Sequence, residues 1–313
     1  MMRGSIRAAC AAALVALVPA LIGAQQPPAA PAGPDSPEVA QQIAALKAKA
    51  GPRWQDAVRF WCEAPRANRP DDPVIEPTQI FDNVYAIGSI GTVAYVIRTS
   101  AGLMMIDALS AADVENRLLP GFTRLGLDPS TVRVILVAHG HEDHFGGAAY
   151  FQQRYGTRVL VSAADAQPAR RDGELKDKAP VTLGDVTVTP VAVPGHTPGS
   201  MAFIFPVIDR GERHVAALFG GSWLTPGFLS NDAMRTYLSS VDAFRQATSG
   251  AGVDVWLQNH PLMVPFEPWL AQLRARGARD ANPFVVGRAD YQRFVDVMQG
   301  CSEVALARRA PPR

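Results

Sequence analysis

Residues 132–144 read VRVILVAHGHEDH, a hydrophobic run followed by a cluster of histidines. The first seven residues are, apart from Arg133, an aliphatic run rich in β-branched side chains, which predicts a strand buried on both faces. Three histidines and one aspartate follow directly after that strand. Imidazole nitrogens and carboxylate oxygens are good ligands for a borderline cation such as zinc. The stretch therefore predicts a metal site where the strand ends.

The spacing within this run suggests how the ligands divide. Residues i and i+2 point the same way where the chain is extended, so His139 and His141 can share one ion. Asp143 and His144 lie at the turn into the next predicted helix and can reach a second ion. The run alone therefore allows two neighbouring cations.

Two more histidines follow predicted strands. His196 comes after the predicted strand 186–193, and His260 after the predicted strand 253–258. Ligands that collect at one edge of a sheet are typical of open α/β clefts. Taken alone, each is as consistent with a structural histidine as with a ligand. His214 lies inside a predicted hairpin strand and is expected to be structural.

Composition limits the classes of function. The chain has 313 residues, 48% of them hydrophobic, and a net charge of +1. This excludes a disordered chain and argues against nucleic acid as the main partner, because phosphate binding needs a concentrated basic face. Beyond the N-terminus no apolar run is long enough to span a membrane. Three cysteines are too few for a disulfide-dense scaffold or a thiolate zinc finger.

The N-terminus has the pattern of a signal peptide. Residues 1–24 contain two early arginines, an apolar stretch and a cleavage site of small residues before Gln25. We therefore expect an exported protein, periplasmic or secreted, with no membrane span in the mature chain; an uncleaved membrane anchor is the alternative. Residues 25–77 are expected to form a linker and a helical extension, and residues 78–313 the main domain with a C-terminal helix.

Export leaves two cysteines in an oxidising compartment. Cys62 and Cys301 lie near opposite ends of the mature chain. A disulfide between them would join the extension covalently to the C-terminal helix. Two unpaired buried thiols are the alternative, and the sequence does not choose between them.

Short strands and helices alternate from residue 78 onward. This alternation indicates layers of helices and strands around one hydrophobic core. The predicted strands are 83–87, 92–98, 102–107, 132–138, 157–162, 186–193, 201–208, 213–219 and 253–258. The predicted helices are 111–125, 146–155, 231–248, 266–276 and 289–307, after a first helix that starts at the Ser36 cap.

Three motifs together resemble the metallo-β-lactamase superfamily. They are the run His139-x-His141-x-Asp143-His144, the loop GHTPG at 195–199 and the late His260. The resemblance covers roughly residues 78–262. It implies an α+β fold, a four-layer αβ/βα sandwich, with a site for two zinc ions along the shared edge of two sheets.

The resemblance also implies a role for each site residue. It assigns His139, His141 and His196 to the first zinc. It assigns Asp143, His144 and His260 to the second. Asp143 would also orient the attacking hydroxide, and Asp107 would support the ligands from behind.

One segment separates the branches of this superfamily. Residues 218–227 read LFGGSWLTPG and contain neither the bridging aspartate of many ester hydrolases nor the cysteine of the thiolate-site lactamases. The segment looks like the third lactamase subclass, whose second zinc is bound by Asp-His-His. Ser222 is then expected near the second zinc, or else is a small residue that permits close packing. The subclass commonly has a second serine where this chain has Leu224, and Thr225 is the candidate to replace it.

The leading hypothesis is a secreted di-zinc hydrolase of a small-molecule substrate. Metal-bound hydroxide would attack a cyclic amide carbonyl and open a β-lactam ring, the chemistry of antibiotic resistance. One alternative keeps the site and changes the substrate to a lactone or another ester. A second alternative is a non-catalytic zinc-binding protein. No pattern in the sequence specifies an oligomeric state.

Overall fold

We describe a computed structural model, over residues 34–63, 72–165, 171–223 and 229–309. The predicted signal peptide 1–24, the linker up to residue 33, Leu224 and Thr225 lie outside the described residues. Within the described part, no helix has the length and apolar character needed to cross a membrane.

The strands of the described chain form two sheets. The first sheet runs in sequence order through β1 (Thr78–Phe81), β2 (Val84–Gly88), β3 (Val93–Thr99), β4 (Gly102–Ile106), β5 (Val132–Leu136), β6 (Arg158–Val161) and β7 (Gly173–Glu174). The second has the order β12-β11-β10-β9-β8, formed by β8 (Val181–Leu183), β9 (Val186–Ala192), β10 (Met201–Asp209), β11 (Glu212–Leu218) and β12 (Val255–Trp256).

Eight α-helices accompany these sheets in the described residues. They are α1 (Pro37–Ala50), α2 (Gln55–Val58), α3 (Leu119–Arg124), α4 (Glu142–Phe145), α5 (Ala148–Tyr155), α6 (Asn231–Ala251), α7 (Phe266–Arg274) and α8 (Arg288–Ala307). A π-helical turn, Arg59–Glu63, continues directly from α2.

The first sheet is buried on both faces. Along β3, Tyr95 and Ile97 face the large core between the sheets, whereas Ala94 and Val96 face a second core on the other side. Side chains alternate between the faces of a strand, so a strand covered on both sides reads as a continuous apolar run. Burial on both faces of the sheet also explains why β5 is rich in aliphatic residues.

Helices cover the outer face of each sheet. Phe122 of α3 and Phe151 of α5 close the core outside the first sheet. Tyr237 of α6 and Phe294 of α8 extend the large core beyond the second sheet. The order helix, sheet, sheet, helix is the predicted αβ/βα sandwich of an α+β protein, so the fold prediction is confirmed.

The carboxyl ends of several strands meet at one edge. β4, β5 and β6 are parallel neighbours, so the loops that follow them leave the first sheet on the same side. In the second sheet β11 and β12 are parallel, and β9 runs in the same direction because both β9 and β11 are antiparallel to β10. The hydrogen bond from the Met201 amide to the Ala138 carbonyl, 2.8 Å, joins the sheets at this edge.

The N-terminal extension packs against the far end of the chain. The Ser36 hydroxyl accepts a hydrogen bond from the Val39 amide and caps α1, as the sequence predicts. Cys62 and Cys301 form a disulfide between the π-helical turn and α8. The extension is therefore joined to the C-terminal helix, 239 residues away in sequence.

Candidate metal centre

Three histidines from two loops bring their ring nitrogens together. His141 Nδ1 lies 3.2 Å from His139 Nε2 and 3.1 Å from His196 Nε2. The first two rings follow β5 and the third follows β9, so the two sheets contribute to one cluster. The three ligand atoms all lie within 4.8 Å of one another, which is the spacing of ligands around a single cation.

His144 and His260 face each other across 3.0 Å, Nε2 to Nε2. His260 Nδ1 donates its proton to the Gly91 carbonyl, 2.6 Å away, and His144 Nδ1 donates to Asp107 Oδ2 at 2.7 Å. A neutral imidazole carries one N–H, so when both rings are neutral the two facing Nε2 atoms carry lone pairs. Two acceptors at this distance repel each other unless a cation lies beside them.

Asp143 completes this second group. Its Oδ2 lies 3.4 Å from His144 Nε2 and 3.8 Å from His260 Nε2. The Thr92 hydroxyl donates to the same oxygen at 3.1 Å. His139 also lies within ligand distance of His144 and His260. We group Asp143 with those two because His139 Nε2 already faces His141.

Burial controls the charge of the imidazoles. It holds the pKa of His139 well below its usual range, and together with the neighbouring histidines it lowers the pKa of His196 to about 3 and of His260 to about 4. These rings are neutral at pH 7, the form that binds metals. Burial also disfavours the charged form of His144, but Asp107 and Asp143 outweigh it and raise its pKa. A metal cation and a proton would compete for the same lone pair on His144 Nε2.

Asp143 is held as an anion. Burial raises the pKa of its carboxyl, but the charges of His144 and His260 and the hydrogen bond from Thr92 outweigh that effect and lower the pKa to about 2. The cluster therefore offers neutral imidazole nitrogens and one carboxylate oxygen. This donor set, with two lone pairs that face each other, fits a metal such as zinc.

Asp107 supports the centre from a strained position after β4. It is fully buried at φ 61°, a region that non-glycine residues rarely adopt. Its Oδ1 accepts from the Ala138 amide at 2.7 Å, and its Oδ2 accepts from His144 and from Asn259 Nδ2 at 3.0 Å. The side chain thus fixes the orientation of His144 and ties β4 to β5.

Sequence reasoning missed Asp165, which organises the first group. Its carboxylate accepts hydrogen bonds from the Gly140 amide at 2.7 Å, the Gly199 amide at 2.8 Å and the Thr197 hydroxyl at 2.8 Å. One buried side chain after β6 therefore holds the loops that carry His139, His141 and His196. The available sequence signal was the position of Asp165 after β6, the parallel neighbour of β5.

Residues 88–207 match the family model described as "Metallo-beta-lactamase superfamily". The match includes five of the six clustered side chains and the strands that carry them. Residues 88–207 therefore resemble the metallo-β-lactamase superfamily.

Solved structures of lactamases resemble most of this chain. A subclass B3 metallo-β-lactamase of Bradyrhizobium japonicum is 27% identical, with a TM-score of 0.59, over 74% of this chain and 92% of that one. A metallo-β-lactamase of Cronobacter sakazakii with a HARLDQ motif is 26% identical, with a TM-score of 0.65, over 77% and 97% of the two chains.

Curated relatives match over a shorter region. A hydroxyacylglutathione hydrolase of Anaeromyxobacter dehalogenans is 45% identical over 69 residues, which are 22% of this chain and 27% of that protein. One of Pseudomonas syringae pv. syringae is 45% identical over 88 residues, 26% of this chain and 34% of that protein. The chain spans about a third or less of the length of these relatives.

The loop after β11 approaches both groups of ligands. Gly221 has φ 80°, and a Cβ there would lie 2.6 Å from the His196 Cβ, so a glycine is needed. Ser222 is fully buried, and its hydroxyl has no hydrogen-bond partner among the described residues. The Trp223 ring lies 5.4 Å from the His260 ring, at 82°. His214 lies apart from the centre and bonds to Asp254 through Nδ1 at 2.7 Å.

Proposed function

We propose that this protein is an exported di-zinc hydrolase that opens β-lactam rings, and so a member of the Asp-His-His lactamase subclass. One observation carries the proposal. His144 and His260 bring their Nε2 atoms within 3.0 Å of each other, with the Asp143 carboxylate beside them. This second group stands next to a complete three-histidine group.

Each group offers three ligands, as the two zinc ions would require. The first is formed by His139, His141 and His196. The second is formed by Asp143, His144 and His260.

Bound zinc would lower the pKa of its water to about 7 and polarise the carbonyl under attack. The protein's side chains would orient the attacking water and hold the metal ligands in place. Asp143 can accept a hydrogen bond from the attacking water, because its carboxylate stays ionised at neutral pH. Thr92 fixes one oxygen of that carboxylate, and the Gly91 carbonyl fixes the ring of His260.

The substrate class rests on the loop after β11 and on the extent of similarity. Gly220, Gly221 and Ser222 provide no carboxylate and no thiol where the loop meets the centre. The lactamase structures match about three quarters of the chain. Turnover of β-lactams would protect a bacterial cell from these antibiotics. The Cys62–Cys301 disulfide supports export, since structural disulfides are typical of oxidising compartments.

Hydrolysis of an ester, a lactone or a thioester is the second candidate. The curated relatives that match 69 to 88 residues are hydroxyacylglutathione hydrolases. Leu224 also stands where the lactamase subclass commonly has a serine. The same metal centre could attack such a carbonyl.

The test is hydrolysis of a chromogenic cephalosporin by the chain from Gln25, loaded with zinc. We expect turnover of about 1 per second or faster, abolished by a chelator and restored by zinc. Zinc binding without cephalosporin turnover would overturn the β-lactam assignment. A series of lactones, esters and thioesters would then separate the second candidate from a non-catalytic zinc-binding protein.

Two histidine variants provide a matched control. His196→Ala should lose at least 100-fold in turnover, because it removes one of three ligands from the first group. His214→Ala removes a histidine that lies apart from the centre, and its turnover should stay within about 2-fold of the wild-type protein.

A further inference from the structure

The segment 55–63, which we call the buttress, contacts the loop after β11 that lies beside the metal centre. It comprises α2 and the π-helical turn of the N-terminal extension. Trp61 Nε1 donates a buried hydrogen bond of 2.9 Å to the carbonyl of Ser222. Both residues are at most 2% exposed. The buttress thus holds the backbone of the loop that carries Trp223.

A second contact continues to a metal-facing histidine. The ring of Phe60 lies 5.9 Å from the ring of Trp223 at 61°, and Trp223 lies 5.4 Å from His260 at 82°. Aromatic rings in edge-to-face contact have a preferred mutual geometry. His260 is otherwise fixed at Nδ1 by the Gly91 carbonyl. Trp223 therefore restricts the tilt of the imidazole, and Phe60 restricts Trp223.

The buttress is itself fastened to α8. Cys62 forms the disulfide with Cys301, and the Trp61 ring packs 5.4 Å from that of Phe294. Two adjacent buttress residues thus contact the loop beside the metal centre, and the next residue bonds covalently to the C-terminal helix. This arrangement places the disulfide one residue away from the hydrogen bond that holds Ser222.

We propose that Phe60 and Trp61 are positioning residues for the second metal group, and that the Cys62–Cys301 disulfide maintains that group's affinity for zinc. The inference rests on the proposed two-zinc function, which it deepens. Residues behind metal ligands orient them, and loss of such support typically lowers metal affinity about 10-fold to 100-fold. Removal of the buttress contacts should therefore weaken the second zinc and leave the first zinc in place.

The first test compares two tryptophans of the extension. Trp61→Phe keeps an aromatic ring and removes the hydrogen bond to Ser222. Trp54→Phe is the matched control, because Trp54 Nε1 donates an equivalent 2.9 Å bond to the Asp290 carbonyl and packs against Phe294 at 5.0 Å. Both variants should lose similar thermal stability. Only Trp61→Phe should lower the affinity of the second zinc, by about 10-fold, in competition titrations with a chromogenic chelator.

The second test separates ring contact from bulk at residue 60. Phe60→Leu should weaken the second zinc, whereas Phe60→Tyr should retain its affinity because the ring contact with Trp223 survives. Phe60 lines a cavity of about 330 Å³, which leaves space for the added hydroxyl. Cobalt(II) in place of zinc gives an independent reading, because its visible absorption reports ligand geometry at the second group.

The third test removes the disulfide. In the Cys62→Ser, Cys301→Ser double variant, at a temperature where circular dichroism shows a folded chain, we expect the second zinc to bind about 10-fold more weakly. Equal affinities in this variant, in Trp61→Phe and in the wild-type protein would overturn the inference and leave the proposed function intact. A folded wild-type protein that binds a single zinc ion would overturn both.

Discussion

His144 and Asp107 form a fully buried pair, with 2.7 Å between Nδ1 and Oδ2. The Ala138 amide and Asn259 Nδ2 also donate to this carboxylate, so three donors fix its position. The pair sets which nitrogen of His144 faces the cleft. The metal centre thus depends on a side chain that is not itself a ligand.

Asp107→Asn should weaken the second zinc about 10-fold to 100-fold. The new amide group must face either His144 Nδ1 and Asn259 or the Ala138 amide, and in each case two donors meet. Such a clash also costs about 1 to 3 kcal/mol in the free energy of unfolding. Zinc titration and chemical denaturation measure the two effects.

Asp254→Asn is the control for this variant. Asp254 binds His214 Nδ1 at 2.7 Å and the Val215 amide at 3.0 Å, the same pattern away from the centre. It should lose stability and keep its zinc affinity. If both variants bound zinc equally well, the supporting role of Asp107 would be wrong.

Asp165→Ala should weaken the first zinc. The substitution leaves the amides of Gly140 and Gly199 and the hydroxyl of Thr197 without their acceptor, so the two ligand loops lose a common anchor. We expect about a 10-fold loss of affinity at the first group in the zinc titration. Asp128→Ala, which removes an exposed cap that accepts from the Ser130 amide, serves as the comparison and should bind zinc normally.

The stability of the metal-free protein should fall as the pH falls from 8 to 5. The pKa of His139 lies well below its value in the unfolded chain, and that of His260 lies at about 4, in each case chiefly because of burial. Between pH 6.5 and 4 the unfolded chain therefore binds protons that the folded chain excludes, so the free energy of unfolding decreases. His144, with its raised pKa, offsets part of this change.

Each excluded proton contributes about 2 kcal/mol to this decrease between pH 8 and pH 5. Urea denaturation of the chelated protein at the two pH values measures it. His260→Gln should show a smaller decrease, because it removes one of the excluded protons. A free energy of unfolding that stays constant or rises toward pH 5 would contradict the described burial of these rings.

Arg276→Leu should destabilise the fold without affecting zinc. Arg276 forms two 2.8 Å hydrogen bonds with Asp209, which join the end of β10 to the loop after α7. The arginine side chain is 6% exposed, so its removal takes the charged partner away from a mostly buried carboxylate and costs about 3 kcal/mol. Arg235→Ala breaks an exposed pair with Asp232 and should cost less than about 0.5 kcal/mol. Equal losses in the two variants would refute this difference.

Local sequence patterns predicted most of the fold. The β-branched run before His139 predicted a strand buried on both faces, and the Ser36 cap correctly predicted where α1 begins. The two-residue strand β7 and the three-residue strand β8 have no sequence pattern of their own, because pairing with β6 and β9 defines them. The predicted helix 111–125 is divided into a π-helical turn and α3, where Pro120 lies in the first turn of the helix.

The candidate ligands were predictable because their residue types are rare and cluster at strand ends. Their supports were not, because support depends on contacts distant in sequence. Asp165 is one of many aspartates until the structure places it beside Gly140 and Gly199. The contact of Trp61 with Ser222 joins residues 161 positions apart, and no local pattern reports it.

Anomalous diffraction at the zinc absorption edge, from crystals of the zinc-loaded protein, tests the central claim most directly. We expect two zinc positions about 3.5 to 4 Å apart. One should be bound by His139, His141 and His196, and the other by Asp143, His144 and His260. A single zinc position, or a second zinc held by other side chains, would contradict the two-metal account.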